Sequence, residues 1–189
     1  MKNIAIFASG NGTNAERIAQ YFENNETVRV QLILTNKPGA GVLKRAGKLR
    51  IPTLIFNREV FYQTDDIPEI LKAKEIDLIV LAGFLWLIPD NFLHEYPNRI
   101  VNIHPALLPK YGGKGMFGHH VHDAVIASND AESGITIHYV NEKYDEGQVI
   151  FQSKVAIDKK DNPDTLAEKI HVLEYRYFPK VIEELLQKM

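Results

Sequence analysis

The stretch Ile4-Ala5-Ile6-Phe7-Ala8-Ser9-Gly10-Asn11-Gly12-Thr13-Asn14 decides the fold of this chain. Its apolar start is too short for a buried helix and leads straight into a glycine-rich turn. Behind the turn, Asn14 to Phe22 has helical spacing, with Ile18, Ala19 and Phe22 on one face. A continuously apolar strand, a glycine loop and a helix make the first half of a parallel βαβ unit, whose strands are covered on both faces. Glycine lets the backbone approach a ligand closely, and the free amides of a helix N-terminus attract phosphate. Ala15 stands where a dinucleotide fingerprint allows glycine or alanine. The next strand, however, ends in Thr35-Asn36, without the acidic residue that would hold an adenine ribose. The stretch Ser9 to Asn14 is therefore expected to bind a single phosphate rather than a dinucleotide.

Working outward, the alternation continues. Val28 to Leu34 reads as a strand, Val42 to Leu49 as a helix, Thr53 to Phe56 as a short strand and Ile67 to Lys74 as a helix. Leu78 to Leu81 and Ile100 to Ile103 are buried-strand candidates. After residue 130 the pattern changes to two strands, Gly134 to Val140 and Gln148 to Ile157, joined by a loop. The alternation of Gln152 to Ile157 suggests a half-exposed antiparallel edge. A terminal helix opens at Asn162-Pro163-Asp164 and runs towards Leu186. The expected fold is α/β: a Rossmann-like open, mostly parallel sheet with helices on both faces and a mixed antiparallel C-terminal extension.

The composition agrees with one domain over residues 1–189. The 189 residues include 22 basic and 24 acidic side chains, a formal charge of -2 that gives no reason to expect nucleic acid or an anionic membrane. There is no cysteine, which excludes disulfides and thiolate chemistry. The longest apolar run, Leu78 to Ile88, is 11 residues, against the roughly 20 of a membrane-spanning helix. A strand pattern from Asn3 leaves no room for a signal peptide, and a cytoplasmic location is expected.

Ligands of open α/β sheets sit beyond the carboxyl ends of the strands. Asn102 and His104 fall there, two residues apart on one strand and so on one face. An amide donor beside an imidazole can hold a developing oxyanion and move a proton. Pro105 and Pro109 stiffen the loop that follows. Asp145, in Tyr144-Asp145-Glu146-Gly147, would become a carboxylate for His104 if its loop folds back, raising the imidazole pKa. Otherwise it is a solvated turn former. His119-His120-Val121-His122 lacks the spacing of a zinc helix, and a helix cap or pocket wall is the expected role. Leu85-Trp86-Leu87-Ile88, just past a strand end, offers a slot for a flat heterocycle or is simply core.

Together, Ser-Gly-Asn-Gly-Thr-Asn (9–14), Leu-Ala-Gly-Phe (81–84), Asn-Ile-His-Pro-Ala-Leu-Leu-Pro-Lys-Tyr (102–111) and Asp-Glu-Gly-Gln-Val-Ile (145–150) resemble, in that order, the blocks of the folate-dependent formyltransferases. The resemblance implies a formyl group delivered by 10-formyltetrahydrofolate as cosubstrate, without a metal because that group is already activated. The N-terminal loop implies 5-phosphoribosylglycinamide as acceptor, with its phosphate held by Gly12, Thr13 and Asn14. Asn102, His104 and Asp145 would be the catalytic group, and Glu174 would meet the acceptor amine. Arg58, Leu85 to Ile88, Asn102, Asn141 and Tyr144 would form the folate site. This chain departs from the family at Leu85-Trp86, where Met-Arg is frequent, at Ala106, where serine is common, and in the longer, glycine-rich segment Gly112 to His120. Rival readings are a related enzyme acting on methionyl-tRNA or an amino sugar, a formyltetrahydrofolate hydrolase, and a non-catalytic sugar-phosphate module.

Overall fold

The computed structural model describes residues 1–189. Its centre is strand β1 (Lys2–Phe7), where Ile4, Ala5, Ile6 and Phe7 are all fully buried. Successive side chains point to opposite faces, so this one strand feeds two cores. Ile4, Ile6 and Ala8 pack with helices α1 (Thr13–Tyr21) and α2 (Gly41–Lys48) and with the C-terminal helix, while Ala5 and Phe7 face the other layer. That second layer consists of α3 (Arg58–Gln63), α4 (Asp66–Ala73) and α5 (Asp90–Glu95). Phe7 meets Phe56, Phe84 and Phe92 there, edge to face, the preferred geometry of aromatic quadrupoles.

Beside β1 lie β2 (Val28–Thr35) and β3 (Thr53–Ile55) on one side, and β4 (Ile76–Leu81) and β5 (Ile100–His104) on the other. These five strands are parallel. Then β6 (Glu132–Tyr139) and β7 (Val149–Ala156) add on antiparallel, giving the order β3-β2-β1-β4-β5-β6-β7. The chain leaves β1 towards β2 and later returns to β4 on its opposite side. The crevice of this open sheet therefore falls between the ends of β1 and β4.

Two helices close the β1 face over β5 and β6: α6 (His119–Ala127) and α7 (Pro163–Gln187). Asn162 caps α7 through a reciprocal pair with Thr165, and Pro163 occupies the first turn, where its missing N–H costs nothing. Leu166, Ile170, Glu174 and Phe178 succeed one another at four-residue spacing along the buried face of α7. A carboxylate is thereby set into an apolar stripe. The helices α3 and α5 lie outside the expected elements; at six residues each they carry too little periodicity to stand out. No helix is long and apolar enough to cross a membrane.

Candidate active site

The ends of β1, β4 and β5 open into a cavity of about 730 Å³. Its rim is tied together at the crevice. Ser9 donates its backbone N–H to the Gly83 carbonyl at 3.0 Å, and its hydroxyl oxygen accepts the Leu85 N–H at 3.1 Å. Gly12 stands at the N-cap of α1 with φ 72° and supplies no side-chain cap. The first-turn N–H groups of the helix therefore keep their capacity for an anion. A Cβ at Gly12 would lie 2.3 Å from Val42 Cγ2, so α2 as well as the turn demands glycine. Lys37, beyond β2, lines the same cavity.

The antiparallel register pairs Asn102 with His138 and His104 with Thr136. Asp145 arrives from the β6–β7 connection with φ 57°. Its turn lies directly against β6: a Cβ at Gly147 would sit 1.7 Å from the Tyr139 carbonyl oxygen, which explains the glycine of that block. Asp145 Oδ2 is 3.5 Å from His104 Nδ1 and accepts the Gly113 N–H at 2.9 Å. Asp145 Oδ1 is 3.4 Å from Asn102 Nδ2 and 3.6 Å from His138 Nε2. The sequence leaves open whether this aspartate is a turn former; the fold brings it onto both Asn102 and His104.

His138, 2% exposed, is the residue that the sequence reading missed. Its Nδ1 faces its neighbour's carbonyl, Tyr139 O, at 2.8 Å, which assigns the proton to Nδ1. Nε2 is then the acceptor for Asn102 Nδ2 at 3.1 Å. Asn102 is thus anchored on one hydrogen and only loosely engaged on the other.

Burial pushes the Asp145 carboxyl up, but the neighbouring His104 imidazole and the Gly113 N–H outweigh it, and the group is held below the usual carboxylate range. For His104 the balance differs from the expected one. Burial lowers its pKa and prevails over Asp145 and the Tyr111 carbonyl, which both raise it. Asp145 acts in the expected direction without winning. Both ring nitrogens nevertheless face acceptors, since Nε2 lies 2.7 Å from the Tyr111 carbonyl oxygen. Only imidazolium donates from both, so a proton gained by His104 is held at both ends.

Glu174, 5% exposed, closes the cavity from α7. Its Oε2 accepts from Asn14 Nδ2 and faces His171 Nδ1, each at 2.9 Å. Asn14 thereby links the glycine loop to the last helix. The contact with Glu174 raises the His171 pKa against the opposing effect of burial. His122 lines the cavity with a buried Nδ1 that has no protein partner, whereas His119 and His120 are exposed.

Leu85, Trp86, Leu87, Ile88 and Tyr144 all line the cavity. Trp86 packs against Phe56, Phe61 and Tyr62, and the Tyr62 hydroxyl donates to the Leu87 carbonyl at 3.0 Å. Two residues expected at the folate site are not among those that line the cavity. Arg58 stacks over Tyr62 at 4.9 Å and over Trp86, a wall residue, at 5.7 Å. The Asn141 side chain accepts the Lys143 N–H at 3.1 Å and serves its own turn.

The chain belongs to the formyl transferase family, whose profile matches residues 2–182. Among its relatives in that family are phosphoribosylglycinamide formyltransferases. It is 39% identical to the one from Bacillus subtilis (strain 168), over 98% of this chain and 95% of that one. With the chloroplastic one from Arabidopsis thaliana it shares 36% identity, over 99% of this chain and 66% of that one, so it spans just under two thirds of the plant protein. The crystal structure of the Bacillus halodurans phosphoribosylglycinamide formyltransferase matches with a TM-score of 0.87 at 39% identity, covering 99% of this chain and 96% of that one.

Proposed function

We propose that this protein transfers the formyl group of 10-formyltetrahydrofolate to the amine of 5-phosphoribosylglycinamide, a step of purine biosynthesis. The observation that carries this reading is the convergence of Asn102, His104 and Asp145 on a cavity that also holds the uncapped start of α1. The first-turn amides of α1, with Lys37, take the phosphate. Glu174, bonded to Asn14 of that loop, meets the acceptor amine. The pterin enters the slot walled by Leu85 to Ile88 and Tyr144.

The unprotonated amine attacks the formyl carbon, a C–N bond forms, and the carbonyl π electrons move to oxygen. The Asn102 N–H held on His138 fixes the amide, the other N–H exchanges its long contact with Asp145 for that oxyanion, and imidazolium His104 adds charge stabilisation. Collapse breaks the bond to the folate nitrogen, which takes a proton from His104. The attacking nitrogen gives up one proton, and ionised Asp145 is the base placed to receive it. Catalytic contacts that are long at rest tighten around the reacting group, which suits the distances of 3.4 and 3.5 Å at Asp145.

Incubation of the protein with 10-formyltetrahydrofolate labelled in the formyl group and with 5-phosphoribosylglycinamide tests the reading. Label is expected on the glycinamide nitrogen. Label retained on folate, or released as formate, overturns it. Gly12→Val should raise the KM for the phosphoribosyl substrate far more than that for folate and also lower stability by about 1–3 kcal/mol, because the new side chain overpacks Val42. Equal KM changes for both substrates would remove the phosphate from this loop.

A further inference from the structure

Beyond the reacting groups, one short segment touches both His104 and Asp145. The Tyr111 carbonyl accepts from His104 Nε2 at 2.7 Å, and two residues on, the Gly113 N–H donates to Asp145 Oδ2 at 2.9 Å. To present that carbonyl, Tyr111 adopts φ 57°, a left-handed conformation that costs a residue with a Cβ of the order of 1 kcal/mol. Something must hold it there. Its phenol donates to Asp130 Oδ2 at 2.8 Å and contacts Ser128 Oγ. Asp130 is in turn gripped by Lys110 Nζ, at 3.2 Å from Oδ1 and 3.0 Å from Oδ2. Ser128 is fixed to the last turn of α6 by its bond to the Val125 carbonyl at 2.8 Å. The base of the same loop is pinned independently: buried Thr136 donates to the Ala106 carbonyl at 2.7 Å and accepts the Leu108 N–H at 3.0 Å.

We propose that Tyr111 and Asp130, with Ser128 and Lys110, form an anchor that positions His104 and Asp145 for the formyl transfer proposed above, on which this assignment rests. All four are positioning residues. They act through the Tyr111 carbonyl and the Gly113 amide, which fix the protonated nitrogen of His104 and the rotamer of Asp145. Releasing the phenol lets Tyr111 leave the left-handed conformation and carries both backbone groups away. The charged or titratable groups around His104 are then Asp145, His138 and Glu174. Loss of the carbonyl contact removes an acceptor that favours imidazolium, so the His104 pKa falls.

The test uses Tyr111→Phe, which keeps the ring and deletes only the hydroxyl, together with Asp130→Ala and Asp130→Glu. In Tyr111→Phe and Asp130→Ala, kcat should drop about tenfold, the weight of one hydrogen bond, with the KM of each substrate within about twofold. NMR titration should move His104 to lower pH in both, and Asp130→Glu should recover part of each change. Wild-type kcat with an unmoved His104 titration overturns the anchor, as does a fall in melting temperature alone. The titration is independent of turnover. If wild-type protein formylates nothing, a shifted His104 still supports the anchor and the failure belongs to the proposed reaction.

Discussion

Asn102→Ala is expected to lower kcat by about 10²–10³, the cost of one oxyanion donor. The N–H anchored at 3.1 Å on His138 Nε2 orients the amide, and the other, which meets Asp145 only at 3.4 Å, is available to the reacting oxygen. Truncation also leaves His138 Nε2 buried without its donor, so stability should fall by about 1–3 kcal/mol. The two effects separate experimentally: kcat is read well below the melting temperature, and His138→Ala is made alone and together with Asn102→Ala. If Asn102 acts through orientation by His138, the double variant loses far less than the product of the single losses. Near wild-type turnover by folded Asn102→Ala would make the residue structural.

Much of the scaffold could be read because β1, β2 and β4 carry the unbroken apolar runs Ile4–Phe7, Leu32–Leu34 and Leu78–Leu81, a pattern that parallel strands covered on both faces require. The loop after β1 and the Asn102–His104 spacing then point to the C-terminal edge of the sheet. What could not be read depends on partners distant in sequence. His138 lies inside a buried strand and shows no role until the register sets it opposite Asn102. Tyr111 contributes a backbone carbonyl, which has no residue signature at all. For Asn141 and Arg58 the residue types suit a ligand, but a local turn and a stack on Trp86 engage them first. The sign of the His104 shift depends on burial, and burial is a property of the packed fold: at 3% exposure desolvation exceeds the pull of Asp145.

Asp145→Asn follows from that balance and should be the costliest conservative change in the site. The carboxylate is the only anion in contact with His104, and it also takes the Gly113 N–H. An amide cannot match these neighbours, because whichever way it turns its NH2 meets the Asn102 donor or the Gly113 N–H. We expect kcat to fall by about 10²–10⁴, the range for a general acid or base, while the KM for each substrate changes less. Wild-type His104 already titrates below the ordinary imidazole value because of burial. Removing the charge that opposes burial lowers it further. The limb of the rate profile on which activity is lost as pH rises should therefore move to lower pH. Linkage gives a second readout of the same sign. A histidine whose folded pKa lies below its unfolded value, about 6.5, contributes stability above that value and loses it as pH falls. The wild type should thus lose part of its stability below about pH 6.5, and Asp145→Asn should lose more over the same interval. Urea unfolding at pH 8 and pH 5.5 measures this, and NMR titration of His104 measures the shift itself. An unmoved His104 pKa, with kcat at the wild-type level, would return Asp145 to the role of a turn residue. A severe loss of kcat with the pKa unmoved would instead leave proton acceptance as its only task.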